Sequence, residues 1–204
     1  MEIIADFVEK RDIFLIADEI YSELSFYNFY SFSSFEKIKD KVIIINGFSK
    51  SHSMTGWRIG YTIFPLEYRR YFLNTTLYTL SSPMALSIAA AEIALEKFED
   101  RKELMNIYKK RAVYMKDALT ELGFKVVEPK GAFYIFADYS KISKLNSFDF
   151  AMDMLKRVQT AVVPGISFGT EKCFRISLTV DISKLKEAVE RIEELWKNIK
   201  IKLK

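Results

Sequence analysis

The sequence has little of what commonly fixes a function at first reading. Its 204 residues hold one cysteine, Cys173, and one histidine, His52. A single cysteine excludes an intramolecular disulfide framework and fits a reducing, cytoplasmic setting. One cysteine with one histidine leaves almost no material for a zinc site, so no metal centre is expected. Seven Gly and four Pro are too few for a collagen-like or low-complexity chain. No apolar run approaches the ~18 residues that a membrane helix needs, so no membrane partner is expected. The start, Met1-Glu2-Ile3-Ile4-Ala5-Asp6, lacks a basic segment followed by an apolar core, and no signal peptide is expected. Excess charge is scarce too: 31 Lys+Arg against 27 Asp+Glu leave +4. That charge is spread along the chain without a basic stripe, so no nucleic-acid partner is expected.

Apolar material, by contrast, is ample. Hydrophobic residues make up 50% of the chain and aromatics 15%, enough to offset the entropy of ordering and to exclude disorder. Residues 2–10 read as a short helix with Ile3, Ile4, Phe7 and Val8 on one side. Three short apolar runs follow: Ile13–Ala17 ending at Asp18, Val42–Ile45 ending near Gly47, and Ile59–Phe64 closed by Pro65. Runs that are apolar on both faces suit strands covered on both sides, as in a doubly wound α/β sheet. Residues 65–80 read as helix. Ser82 is placed as the cap of a further helix with Pro83 at its first position, running to about Phe98. Asp100 and Glu103 form a capping-box-like start for a long helix striped by Leu104, Tyr108, Ala112, Met115 and Leu119 and stopped by Gly123.

Beyond residue 123 the character changes to α+β. Residues 125–127, 133–137, 161–163 and 174–178 read as strands. A helix face carrying Phe148, Ala151, Met152 and Leu155 is capped by Ser147. Leu185, Ala188, Val189, Ile192, Trp196 and Ile199 stripe a last helix. The expected domains are 1–100 and 101–204, the second including the interdomain helix.

The residues with chemistry cluster where open α/β sheets place ligands, beyond the carboxyl ends of the strands. Gly47-Phe48-Ser49-Lys50-Ser51 puts a lysine in a hydroxyl-rich turn after a buried strand. Arg58, eight residues on, begins the next strand. Two hydroxyls and a guanidinium beside a lysine suit a phosphate cradle next to a reactive amine; a solvated loop lysine is the other reading. Asp18, at a strand's carboxyl end, can face a ligand cation, and Tyr21 can donate to a phenolate oxygen. The alternatives are a capping aspartate and a packing tyrosine. Arg175, inside the apolar run 174–178, needs an anion: a substrate carboxylate or a buried Asp or Glu.

Taken in order, Ala17-Asp18-Glu19-Ile20-Tyr21, Ser49-Lys50 with Arg58, Gly131-Ala132-Phe133-Tyr134, Pro164-Gly165-x-x-Phe168-Gly169 and Phe174-Arg175-Ile176-Ser177 resemble the class I/II aminotransferases. The likeness is to the aspartate-aminotransferase-like branch of the fold-type I pyridoxal 5'-phosphate (PLP) enzymes, over residues 2–199. It implies an α/β chain: part of a fold-type I large domain followed by a small C-terminal α+β domain. It implies PLP as cofactor and an amino acid and a 2-oxo acid as substrates. Lys50 then resembles the lysine that forms the internal aldimine and moves the proton. Asp18 resembles the partner of the pyridine nitrogen, and Tyr21 that of the ring 3′ oxygen. Ser49 and Arg58 would hold the phosphate, and Arg175 would clamp the α-carboxylate. His52 falls at a variable position of the motif and gets no role.

The resemblance also implies an incomplete chain. The family's glycine-rich phosphate turn, its stacking aromatic and its Asn-Pro-x-x-Pro-Thr-Gly-like segment are expected in an N-terminal half that this sequence does not contain. That half is expected as a separate polypeptide or as the remainder of a longer one, and the complete enzyme as a homodimer. Apolar sheet edges are expected to be exposed. Aspartate or an aromatic amino acid with 2-oxoglutarate are the expected substrates. The alternatives are a C–S β-lyase on the same scaffold and a non-catalytic assembly fragment.

Overall fold

The computed structural model describes residues 1–96 and 101–202. The chain divides into two compact units, Met1–Met105 and Asn106–Lys204. The expected boundary at residue 100, the cap Asp100 and the helix end at Phe98 lie outside the described residues. So do the side chains of Trp196 and Ile199.

The first unit is built on three strands in the order β1 (Leu15–Asp18), β2 (Val42–Gly47), β3 (Gly60–Ile63). β1 and β2 are parallel and β3 runs antiparallel to β2. Register sorts the side chains by face: Leu15, Ala17, Val42 and Ile44 share one, Ile16, Asp18, Ile43 and Ile45 the other. The first face is sealed by α1 (Glu2–Lys10), through Ala5 and Val8, and by Ile38. The expected apolar side of α1 is thus corrected. The edge Ala5–Val8, three residues apart, meets the sheet, while Ile3 and Phe7 are 84% and 52% exposed. The second face is not covered on both sides as expected: Ile16 is 63% exposed. On the third strand Ile63 is exposed as well.

Between the strands lies the four-residue helix α2 (Phe48–Ser51). α3 (Arg69–Thr79) follows a 3-10 turn over Leu66–Tyr68, so the expected helix begins later than Pro65. α4 (Ala85–Glu96) begins two residues beyond the expected start. The Met84 carbonyl accepts from Ile88 N–H at 3.1 Å, which makes Met84 the capping position in place of Ser82. Ser81, at φ 65, bends the chain before it.

The division between the units falls within α5 (Arg101–Glu121), whose part in the second unit buries Tyr108, Ala112, Met115 and Leu119. Gly123 ends it at φ 94; its N–H bonds the Thr120 carbonyl and Phe124 N–H the Leu119 carbonyl, a Schellman-type stop. Four strands pair antiparallel in the order β4 (Lys125–Val126), β5 (Tyr134–Asp138), β7 (Cys173–Ser177), β6 (Val163–Pro164). Ile135, Ala137, Phe174 and Ile176 alternate inward. Phe174 joins Tyr139 and Phe150, whose rings stack at 3.8 Å. Burial pushes the Tyr139 phenol up to about 12, and its hydroxyl donates to the Leu145 carbonyl. α6 (Ser147–Val158) is capped by Asn146, whose side chain accepts from Asp149 N–H at 2.8 Å. This corrects Ser147 as the cap: Ser147 is fully buried, and its hydroxyl instead accepts from Ile166 N–H. α7 (Ile182–Lys202) buries Leu185 and Ile192. Among the described residues no helix is long and apolar enough to cross a membrane.

Two carboxylates tie loops of this unit. Glu171 accepts from Ser147 N–H at 2.8 Å and Asp138 from Ser140 N–H at 2.7 Å. Those backbone donors hold both groups below their ordinary values. A lowered folded pKa gives stability that is present above the ordinary carboxylate range and lost as pH falls through the folded value. The thermal midpoint should therefore be lower at about pH 3 than at about pH 6, and Glu171→Gln should shrink the difference. Circular-dichroism melts that do not shift with pH would contradict this.

Candidate active site

β1 and β2 are parallel, so their carboxyl ends lie side by side. Asp18 pairs with Ile45, and Glu19 N–H donates to the Ile45 carbonyl at 2.8 Å. Asp18 is exposed, and its carboxylate accepts a local bond from Ile20 N–H at 3.2 Å. Tyr21 is half-buried and precedes a 3-10 turn, Ser22–Leu24, that packs against α2. Asn46 crosslinks the same elements: its amide donates to Ser22 Oγ and its carbonyl oxygen accepts from Gly47 N–H at 2.7 Å.

β2 then runs straight into α2, which carries Ser49 and Lys50, both half-buried. The junction depends on two glycines. Gly47 faces Gly60 across β2 and β3, and a Cβ on Gly60 would stand 2.8 Å from the Asn46 carbonyl oxygen. Gly60→Ala should force the strands apart and cost about 1–3 kcal/mol. Urea unfolding of the variant checks this, and an unchanged midpoint would contradict it.

Because β3 is antiparallel, the residues before it arrive at this same end of the sheet. Arg58 does not begin the strand as expected. It sits two residues ahead of β3 in a left-handed conformation, φ 51, and its guanidinium donates to the Thr55 carbonyl at 2.9 Å. The turn Thr55–Trp57 packs against α2, and the buried Ser87 of α4 donates to the Trp57 carbonyl at 2.7 Å. A cavity of about 380 Å³ lies beside Arg58, bordered by Trp57, Ser82 and Ser87. Asp18, Tyr21, Ser49, Lys50 and Arg58 are thus gathered at one end of one sheet: a carboxylate, a phenol, a hydroxyl, an amine and a guanidinium. The set fits a cofactor that carries a cationic ring nitrogen, a phenolate oxygen, an aldehyde and a phosphate.

Arg175 belongs to the second unit. It lies on the open face of β7, not in a strand buried on both faces. Its guanidinium lies over two rings, 4.1 Å from the centroid of Tyr134 and 4.7 Å from that of Phe168. Among the described residues no carboxylate pairs with it. Tyr134 and Phe168 each stand in a motif visible in the sequence, but which motif residues face the guanidinium depends on register and loop path. Asn46, His52 and Ser87 carried no sequence signal as supports of the site.

An α/β sheet with a lysine helix on the carboxyl end of its middle strand, followed by a small antiparallel α+β unit, defines the class. By the match of the family described as aminotransferase class I and II over residues 1–192, the chain belongs to that family. It is 40% identical over 194 residues to the probable N-acetyl-LL-diaminopimelate aminotransferase of Bacillus subtilis, covering 93% of this chain and 49% of that protein. It is 35% identical to the aspartate aminotransferase of Pyrococcus abyssi, covering 98% and 53%. The solved aromatic aminotransferase of Pyrococcus horikoshii superposes with a TM-score of 0.92 at 36% identity, over 98% of this chain and 55% of that one. The chain spans about half the length of the relatives it matches. These likenesses bear out the partial fold-type I architecture.

Proposed function

We propose that this chain is the half of a PLP-dependent aminotransferase that carries the reactive lysine. It moves an amino group between an amino acid and a 2-oxo acid in the cytoplasm. The single observation that carries this reading is the convergence of Lys50, Asp18, Tyr21, Ser49 and Arg58 at the carboxyl end of β1 and β2.

When bound, PLP supplies an electron-accepting ring and an aldehyde for amines. Lys50 would be the amine that meets that aldehyde, and its Nζ, once free, would take up the proton released from the substrate Cα. Asp18 keeps the ring nitrogen protonated by charge pairing. Tyr21 donates to the ring oxygen, and Ser49 and Arg58 anchor the phosphate. Arg175, its guanidinium lying over the rings of Tyr134 and Phe168, would present its donors to the substrate α-carboxylate. Aspartate and aromatic amino acids are the proposed donors and 2-oxoglutarate the acceptor. The segment Leu77–Pro83 holds no arginine to read a second carboxylate.

A second polypeptide segment completes the site. The outer edges of β1 and β3 have no strand partner among the described residues, and Ile16 and Ile63 are exposed beside them. Such edges call for covering chain. The proposed cover is the N-terminal half, as a separate or continuous polypeptide, with a homodimer as the final assembly. The test combines this chain with the N-terminal half, PLP and an amino acid. Accumulation of pyridoxamine phosphate with the matching 2-oxo acid is expected. Release of ammonia and pyruvate from cysteine conjugates would instead support the lyase reading. No change of the cofactor at all would leave an assembly fragment.

A further inference from the structure

We infer that His52 and Ser87 are positioning residues which peg the Lys50 turn and the Arg58 turn to one face of α4, and so set the separation between the amine and the phosphate anchor. The inference rests on the reading of Lys50 and Arg58 given above.

Two turns of irregular chain meet α4 by hydrogen bonds to different rungs. Ser87 Oγ donates to the Trp57 carbonyl at 2.7 Å, directly before Arg58. His52 Nε2 lies 3.2 Å from the Ala94 carbonyl oxygen, two residues after Lys50. A carbonyl only accepts, so Nε2 carries a proton and donates. Ser87 and Ala94 are seven residues apart with the buried Ala91 between them, so all three lie on one helix face. Seven residues of helix span about 10 Å.

Both pegs are firmly seated. Ser87 is 2% exposed, so its hydroxyl is held within the fold where it meets the Trp57 carbonyl. His52 is half-buried, its ring 5.2 Å from that of Phe48, at the start of the lysine helix. Its Nδ1 is 2.8 Å from Ser51 Oγ, whose single proton is shared between that nitrogen and the Gly47 carbonyl 3.1 Å away. The imidazole therefore connects both ends of α2 to α4. The Arg58 backbone sits in the left-handed region, which a non-glycine residue keeps only when its surroundings hold it there. The Ser87 bond to the preceding carbonyl is one such hold.

A rigid spacer matters only to a ligand that is gripped at both points. PLP has an aldehyde and a phosphate; pyridoxal has the aldehyde alone. Each is titrated against the full chain and against its His52→Ala, His52→Gln, His52→Asn and Ser87→Ala variants. Borohydride then fixes the bound ligand, and mass spectrometry measures labelling at Lys50. His52→Ala and Ser87→Ala should each raise the PLP concentration for half-labelling about three- to tenfold, the scale of one lost hydrogen bond. Pyridoxal labelling should stay within about twofold of wild type, because it spans no second anchor. Gln places an amide N–H where His Nε2 stands, so His52→Gln should restore PLP labelling. Asn reaches only the Nδ1 position, so His52→Asn should behave like His52→Ala. Equal losses for PLP and pyridoxal, or no loss in His52→Ala, would overturn the spacer. Wild-type chain that takes no label at Lys50 from either compound, alone or combined with the N-terminal half, would overturn the reading of Lys50 itself.

Discussion

Lys50→Ala in the assembled enzyme is expected to lose at least about a thousandfold in turnover, since the proposed mechanism gives one group both the covalent hold and the proton transfer. PLP should still bind, held by Asp18, Tyr21, Ser49 and Arg58, and should now be removable by dialysis. Single-turnover kinetics with added pyridoxamine phosphate separate the two roles. The loss should persist when the cofactor is supplied in the amine form, because proton transfer still lacks its carrier. Turnover within tenfold of wild type would remove Lys50 from the mechanism. The position of the residue makes the claim specific. β2 leads without a loop into α2, so the lysine is fixed by a strand in the sheet and by the Gly47–Gly60 approach beneath it.

Arg175→Ala is expected to lower kcat/KM for the amino acid by about 2–5 kcal/mol, the scale of a desolvated charge pair with one partner removed. That is roughly a 30- to 5000-fold drop. PLP binding should be unaffected, because Arg175 has no proposed part in holding the cofactor. Arg175→Lys should recover little: an ammonium cannot place a planar cation over the Tyr134 and Phe168 rings while offering two parallel donors. Removing one ring, as in Phe168→Ala, should produce a smaller rise in KM than Arg175→Ala. An unchanged substrate dependence in Arg175→Ala would make the stacked guanidinium a packing element of β7.

Most elements of both units are legible in the sequence because their periods are clean, but the face read for α6 is corrected: Phe148 and Leu155 are exposed, while Phe150, Ala151, Met154 and Val158 are buried. Ile135–Ala137 and Phe174–Ile176 alternate, and Tyr108, Ala112, Met115 and Leu119 repeat at helical spacing. The start of α4 was misplaced because Ser82-Pro83 carries a capping signature, while the bend at Ser81 delays the helix to Ala85. The inward edge of α1 was misjudged for a different reason: its larger apolar residues face away from the sheet, and the small Ala5 makes the contact. Asp18, Lys50 and Arg58 could be named from their motif order. Their supports could not, since the Ala94 carbonyl and the Trp57 carbonyl are backbone groups that any residue type supplies. The cation–π hold on Arg175 likewise arises from the fold: Tyr134 comes from the neighbouring strand and Phe168 from the turn before β7.

The central claim is that one amine of the chain, among many lysines, is built to meet an aldehyde beside a carboxylate. Reductive labelling with limiting PLP, followed by peptide mapping, tests it most directly. The label should concentrate on Lys50, and Asp18→Asn should weaken that preference and shift the visible absorption of the bound cofactor. Label spread over the exposed lysines, with Lys50 no more reactive than Lys39 or Lys130, would contradict the account.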